Sequence, residues 1–419
     1  MKIQENCRAI ALDLTCKNSQ NTHRVKGLQT VPEFPREKKV RQMKAVIHIG
    51  SHKTGTSTIQ SFLETNRNSL KKQGIYVPKG RYFNWAKQVE LLVAAAIPDA
   101  WHSRPILSHC GHYQCARVFK RKFSAIDQEK IWKRFWRENK VNCNQDDLVV
   151  FSCEELGILT SGEIEKLKKL MKSLFDDVTI VLYLRRQPEF LISFYNTRVR
   201  GGLLWNFSDY LDQPEEDSNL AYHEIVKRWS IFGKDKLKIR VFDKREFHGN
   251  DLLSDFANAV GFDMRGLERV ANQNLSIDSG SVEFLRLLNS HIPATYDQWT
   301  LNPIRLQLRK CFDAMESDRK AYYLNRRDAQ RIIDQFREGN DWVAREYLGR
   351  EKLFSDDVSM YPEEVASPHN LTLEKCAEIT ASLWNERCQQ IVREKKKRVF
   401  YHLKTFLTRI KRGVSQLFR

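Results

Sequence analysis

Lys53, Thr54, Gly55, Thr56, Ser57 and Thr58 form an unbroken run with one ammonium, four hydroxyls and a glycine. Such a run is equipped to hold an oxyanion. The hydroxyls and the loop N–H groups donate hydrogen bonds, and the lysine adds a full charge. His52 brings an imidazole to the same turn. The flanking residues supply the supports. Ala45 to Ile49 reads as a short buried strand. From Thr56 to about Lys72, Ile59, Phe62, Leu63 and Leu70 recur at helical spacing on one face. Strand, loop and helix would then aim amides and the positive end of a helix dipole at one point. The order is not that of the triphosphate loop G-x-x-x-x-G-K-[ST], where lysine follows the second glycine. Here Lys53 precedes Gly55. The competing reading is a Ser/Thr-rich turn starting an ordinary helix.

A second constellation is Arg185, Arg186 and Ser193. Val178 to Leu184 is the strongest strand pattern in the chain and runs directly into the two arginines. Pro188 suits the first turn of the helix that follows. A guanidinium at a strand's carboxyl end can grip a phosphate through paired hydrogen bonds. Ser193 lies more than one helical turn past Pro188, close enough to add a hydroxyl. Taken alone, a solvated arginine pair at a helix start is the plainer reading. A third group, Glu154 and Glu155, follows the apolar run Leu148 to Ser152.

These elements imply an α/β fold: a three-layer sandwich with a mostly parallel sheet, helices on both faces, and ligands at the strands' carboxyl ends. Ile75 to Pro78 reads as an edge strand stopped by proline, and Leu237 to Phe242 as another strand. Helices are expected over 85–97, 126–139, 163–175, 220–232 and much of 290–355, the last as a lid or acceptor-binding wall. His48 is expected in the core.

The order Lys-Thr-Gly-Thr-Ser at 53–57 resembles the 5′-phosphosulfate loop of sulfotransferases that use 3′-phosphoadenosine 5′-phosphosulfate (PAPS). In that family an arginine leaving a strand and a serine eight positions on bind the 3′-phosphate, the spacing of Arg185 and Ser193. The family's proline often sits two residues after the arginine, which would select Arg186, so Arg186 is kept in reserve. Asn272 to Ser276 and Asn340 to Phe354 also resemble bacterial sulfotransferase-like sequences. The resemblance spans roughly residues 44–355. It implies a P-loop NTPase-like sulfotransferase fold with helical C-terminal additions, and sulfuryl transfer from PAPS to an acceptor hydroxyl. The glycine-rich terminal loop of cytosolic small-molecule sulfotransferases is not visible, which favours a carbohydrate or other glycan acceptor. Lys53 would neutralise the departing bridging oxygen, and the amides of 53–58 would hold the 5′-phosphate. Glu154 is the first candidate for general base, since Ser-Cys-Glu resembles a Ser-Ser-Glu stretch in related sequences. Glu155 is the fallback and His52 a further candidate. No metal is required on this reading.

The net charge of +18 is unevenly placed. Residues 1–44 hold ten Lys/Arg against four Asp/Glu, and 393–419 hold ten against one. Only a surplus of three remains for the body between them. Residues 1–43 read as a disordered basic leader, 44–355 as the catalytic domain, and 356–392 as a linker and helix. Residues 393–419 read as a basic amphipathic tail suited to an anionic membrane surface. Nucleic acid is not the expected partner, although tail aromatics among the basic residues keep it alive as a partner mode. No run approaches the 18 or so apolar residues of a membrane span. Nine scattered cysteines suit a reducing, cytoplasmic setting, with membrane association through the tail. His102, His109, Cys110, His112 and Cys115 only superficially resemble a zinc site, because no second cluster closes a tetrahedron. Two other classes stay open: a P-loop-type small-molecule kinase, which would want lysine after the second glycine, and a non-catalytic protein acting through its tails.

Overall fold

The computed structural model describes residues 43–80, 87–96, 125–144, 146–212, 220–270, 278–292, 302, 308, 312, 323–365 and 371–417. The leader up to residue 42, the His102–Cys115 cluster and the stretch Asn272–Ser276 lie outside the described residues.

Five strands form one sheet: β1 (Lys44–Gly50), β2 (Ile75–Tyr76), β3 (Leu148–Ser152), β4 (Asp177–Leu184) and β5 (Leu237–Val241). They lie in the order β2-β3-β1-β4-β5, and every pairing is parallel. Side chains alternate between two cores, as the two-residue period of a strand requires. Ala45, Ile47, Ile49, Phe151, Ile180 and Leu182 enter one apolar cluster. It is closed by α3 (Val89–Ala95), α4 (Ala125–Lys140), α5 (Ser161–Lys172) and α8 (Tyr222–Trp229). Val46, Val150, Val181 and Tyr183 enter the other. That face is covered by α1 (Thr56–Thr65), α2 (Arg67–Lys72) and α9 (Leu252–Val260). The result is the expected three-layer α/β sandwich.

The first helix is not continuous to Lys72. It breaks at Asn66, whose side chain donates to the carbonyls of Phe62 (3.0 Å) and Glu268 (2.8 Å) and accepts from the Glu268 amide (2.7 Å). A side chain that bonds backbone on another segment competes with the helix for its own turn.

A third apolar cluster surrounds α6 (Gln187–Arg200). Phe190, Phe194, Tyr195 and Val199 pack there with residues of α7 (Phe207–Leu211), α10 (Ser279–Asn289) and α11 (Arg326–Val343). Ile379 of the last helix, α12 (Leu373–Leu417), also belongs to it. Two boundaries differ from the sequence reading. Part of the supposed linker is a packed strap: Tyr361 is 3% exposed, and its hydroxyl lies 3.1 Å from Glu189 Oε1. The helix at 373 and the basic tail are one continuous 45-residue helix rather than two segments.

β1 stands at the centre of the sheet. Its connection runs to the β2 edge, while the connection of neighbouring β4 runs to the β5 edge. Connections that part in opposite directions leave a crevice between the carboxyl ends of those two strands, the usual ligand position in such sheets.

Candidate active site

The loop after β1 is built under tight steric limits. A Cβ on Gly50 would come within 2.6 Å of Glu154 Cβ and 2.9 Å of Thr56 Cγ2. The short 3-10 turn Glu154–Ile158 after β3 is therefore pressed directly onto the loop. Gly55 adopts φ +75°, and a Cβ there would meet Leu252 Cδ2 at 2.3 Å. Lys53 also has positive φ, 67°, an uncommon conformation for a residue with a side chain. Such strain is held by its surroundings and collects at functional loops. Thr54 Oγ1 donates to the Ser51 carbonyl at 2.7 Å, so this hydroxyl staples the loop. Thr56 and Thr58 are buried, whereas Ser57 is half-buried.

The helix that opens here has a bare N-terminus. Gly55 at its cap position provides no side-chain acceptor, and the first turn has no acidic residue. Asn206, Asp251, Asp278 and Asn325 cap four other helices by accepting an amide N–H. α6, which opens at the end of β4, lacks a side-chain cap as well. Of the two helices starting at the crevice, α1 thus keeps first-turn amides for another acceptor, whereas the first turn of α6 holds Pro188, which has no N–H, and the acidic Glu189.

Arg185 and Arg186, adjacent in sequence, do different things. Arg185 Nη1 donates to the Lys53 carbonyl at 2.9 Å, and its guanidinium lies 5.4 Å from the Phe242 ring centre. The Tyr222 hydroxyl donates to the Arg185 carbonyl. Burial lowers the Arg185 pKa from its ordinary value, and Glu189 opposes that shift. Arg186 turns away from the loop. It pairs with Glu189 Oε1 at 2.8 Å and donates to the Asp357 carbonyl at 2.7 Å, fastening the strap. Lys53 Nζ donates to Thr197 Oγ1 at 2.7 Å, and Thr197 Oγ1 donates to the Ser193 carbonyl at 3.2 Å. Ser193, half-buried, lies one helical turn before Thr197. Lys53, Arg185 and the Ser193–Thr197 face of α6 therefore come together.

The carboxylates beneath the loop are engaged. Lys87 Nζ lies 2.8 Å from Glu154 Oε1 and 2.6 Å from Glu155 Oε1, with all three side chains buried. Gln60 Nε2 donates to Glu154 Oε2 at 2.6 Å. Both oxygens of Glu154, the first candidate base, thus already accept hydrogen bonds. His48 is in the core as expected, its Nδ1 2.9 Å from Ser152 Oγ. Burial lowers its pKa to about 4 despite the pull of Glu154.

His52 has a different environment. Its Nε2 is buried and has no hydrogen-bond partner among the described residues. Its ring lies against Phe194, with centroids 5.8 Å apart. Burial lowers its pKa. Glu155 and Glu154 pull upward, while Lys87 and Lys53 push downward. The imidazole is therefore neutral near pH 7 and offers a lone pair on one ring nitrogen.

Sequence reasoning missed Lys87, Gln60, Thr197 and Tyr222. Only Gln60 left a signal, as a polar residue amid the apolar positions Ile59, Phe62 and Leu63. Among the described residues, no group of three or more His, Cys, Asp or Glu is placed to hold a metal.

No protein-family model matches the chain. It is similar to an uncharacterized protein of Archaeoglobus fulgidus, at 24% identity over 232 residues. The matched region is 53% of this chain and 61% of that protein, so the chain spans less than two thirds of its relative's length.

Proposed function

We propose that this protein is a PAPS-dependent sulfotransferase that transfers a sulfuryl group to a hydroxyl of a carbohydrate or glycan acceptor, on a P-loop-like fold. The observation that carries the proposal is the bond from Arg185 to the Lys53 carbonyl, which ties the two candidate phosphate-gripping segments into one unit. The central position of β1, with its loop at the crevice, supports the same reading.

In this reading the uncapped first turn of α1, Ser57 and the loop amides hold the 5′-phosphate. Arg185 and Ser193 hold the 3′-phosphate, and Arg186 serves the strap instead. The sulfur–oxygen bond to the 5′-phosphate breaks as a bond to the acceptor oxygen forms. Charge develops on the departing phosphate, and Lys53, a short swing from Thr197, neutralises it. The acceptor's proton needs a base. The buried but unpartnered Nε2 of neutral His52 suits that role better than Glu154, whose oxygens are engaged by Lys87 and Gln60.

Calorimetry with 3′-phosphoadenosine 5′-phosphate, followed by labelled PAPS and a panel of glycan acceptors, tests the proposal. Saturable bisphosphate binding and label transfer are expected. Absence of bisphosphate binding, or magnesium-dependent ATP turnover in its place, would overturn it.

A further inference from the structure

Helix α12 extends about 68 Å at 1.5 Å per residue, and among the described residues its beginning rests on the body. The contact runs along positions i, i+4 and i+8. Lys375 lies 3.9 Å from Asp278, Ile379 is fully buried, and Leu383 packs on the cluster around α6. That seam then ends, since Arg387, the next position in the series, is exposed.

The helix carries a second stripe on another face. Trp384 is 72% exposed, Ile391 38% and Val392 50%, whereas Phe400, 69% exposed, stands about 160° around the helix from Trp384 and outside that stripe. At 3.6 residues per turn, Trp384 and Ile391 lie within about 20° of each other. Trp384 stands about 140° around the helix from Ile379. The exposed stripe is therefore not the face that docks on the domain. The sequence continues its spacing through Leu403, Phe406, Ile410, Val414 and Leu417 on the helical backbone.

Charge identifies the occupant. Residues 393–419 hold ten Lys/Arg and one Glu. A second copy would bring the same surplus of nine against the first, which like-charge repulsion disfavours. A nucleic acid would answer the charge but not an apolar stripe with Trp384, Ile391 and Val392. An anionic phospholipid surface answers both: the apolar face enters the headgroup–acyl boundary and the cations meet the lipid charges. No described helix is long and apolar enough to cross a membrane. We propose that the exposed face of α12 lies on an anionic lipid surface and carries the folded body on it. This inference does not rest on the sulfotransferase reading, and its test measures no catalysis.

The test is co-sedimentation of the full chain with phosphatidylcholine vesicles, with and without phosphatidylserine, alongside Ile391→Asp/Val392→Asp and Lys395→Glu/Lys396→Glu/Lys397→Glu variants. All substituted side chains are exposed, so folding should survive, and a circular-dichroism melt checks this. Wild type should pellet with the serine-containing vesicles at least tenfold more than with the neutral ones, and each variant should lose most of that gain. Equal pelleting with both vesicles, or none at low salt, overturns the proposal. So does a dimer by light scattering that Ile391→Asp/Val392→Asp dissolves, or DNA binding in a protein that ignores vesicles.

Discussion

Arg185 reaches across 132 positions of sequence to donate to the carbonyl of Lys53 at 2.9 Å. The bond fixes a loop residue in a left-handed conformation and sets a guanidinium beside the loop that would cradle a phosphate. Its neighbour Arg186 is committed to Glu189 and the Asp357 carbonyl. Substitution should separate the two. A hydrogen bond to a charged group contributes about 1.5–3 kcal/mol, so Arg185→Ala should weaken binding of the adenosine bisphosphate about ten- to hundredfold. Arg186→Ala should leave that affinity near wild type and lower the melting temperature by releasing the strap. Calorimetry and thermal melts on both variants check this; equal losses of affinity would remove the assignment to Arg185.

Lys87 is enclosed with two carboxylates, at 2.8 Å from Glu154 and 2.6 Å from Glu155. Removing one member of a buried ionic group costs about 3–5 kcal/mol, because the remaining charges lose their partner. Lys87→Met should therefore destabilise strongly in urea titrations. Adding Glu155→Gln should restore part of the loss, since it removes one of the stranded charges. If the double variant is no more stable than Lys87→Met, the triad is not the source of the cost.

The sheet was legible in the sequence because β1, β3 and β4 are short, continuous apolar runs bounded by turn residues. The loop at 51–58 was legible for the same reason: its flanking elements have clear periods. Lys87 was not legible. It is separated from Glu154 by 67 positions, and nothing local distinguishes a lysine that will be buried from one that will be solvated. The division of labour between Arg185 and Arg186 was also out of reach, because it depends on where the strap at 357–361 lies. The exposed stripe on α12 was visible as a pattern, but only the burial of Ile379 and Leu383 reveals which face docks on the body.

His48 links stability to pH. Its pKa falls from 6.5 in a model peptide to about 4 in the fold, chiefly through burial. The unfolded chain therefore binds more protons than the folded one between those values, and acid favours unfolding. The contribution is complete above pH 6.5 and is lost as pH falls toward 4. A depression of this size corresponds to about 3 kcal/mol. His48→Gln removes the titrating group while leaving the surrounding carboxylates in place. The stability gap between wild type and His48→Gln in urea should narrow by roughly that amount between pH 7.5 and pH 4. A gap that stays constant with pH would exclude His48 as the source.

The base assignment turns on His52 and Glu154. The His52 pKa is depressed by burial, with Glu155 and Glu154 partly countering the shift. If neutral His52 takes the acceptor's proton, turnover should be constant above about pH 6.5 and fall at lower pH as the imidazole protonates. His52→Gln keeps a hydrogen-bonding side chain of similar reach but cannot take the proton. It should lower turnover by about 10²- to 10⁴-fold, the usual contribution of a positioned base, and abolish the acidic limb. Bisphosphate affinity should change little, since the imidazole answers the acceptor and not the nucleotide. Glu154→Gln keeps the side chain's size and frees its partners Lys87 and Gln60. It should lower stability and move the acidic limb to lower pH, since Glu154 raises the His52 pKa, without abolishing that limb. Turnover against pH at saturating PAPS and acceptor, on wild type and both variants, measures this. A limb that survives His52→Gln and disappears in Glu154→Gln returns the role to the carboxylate.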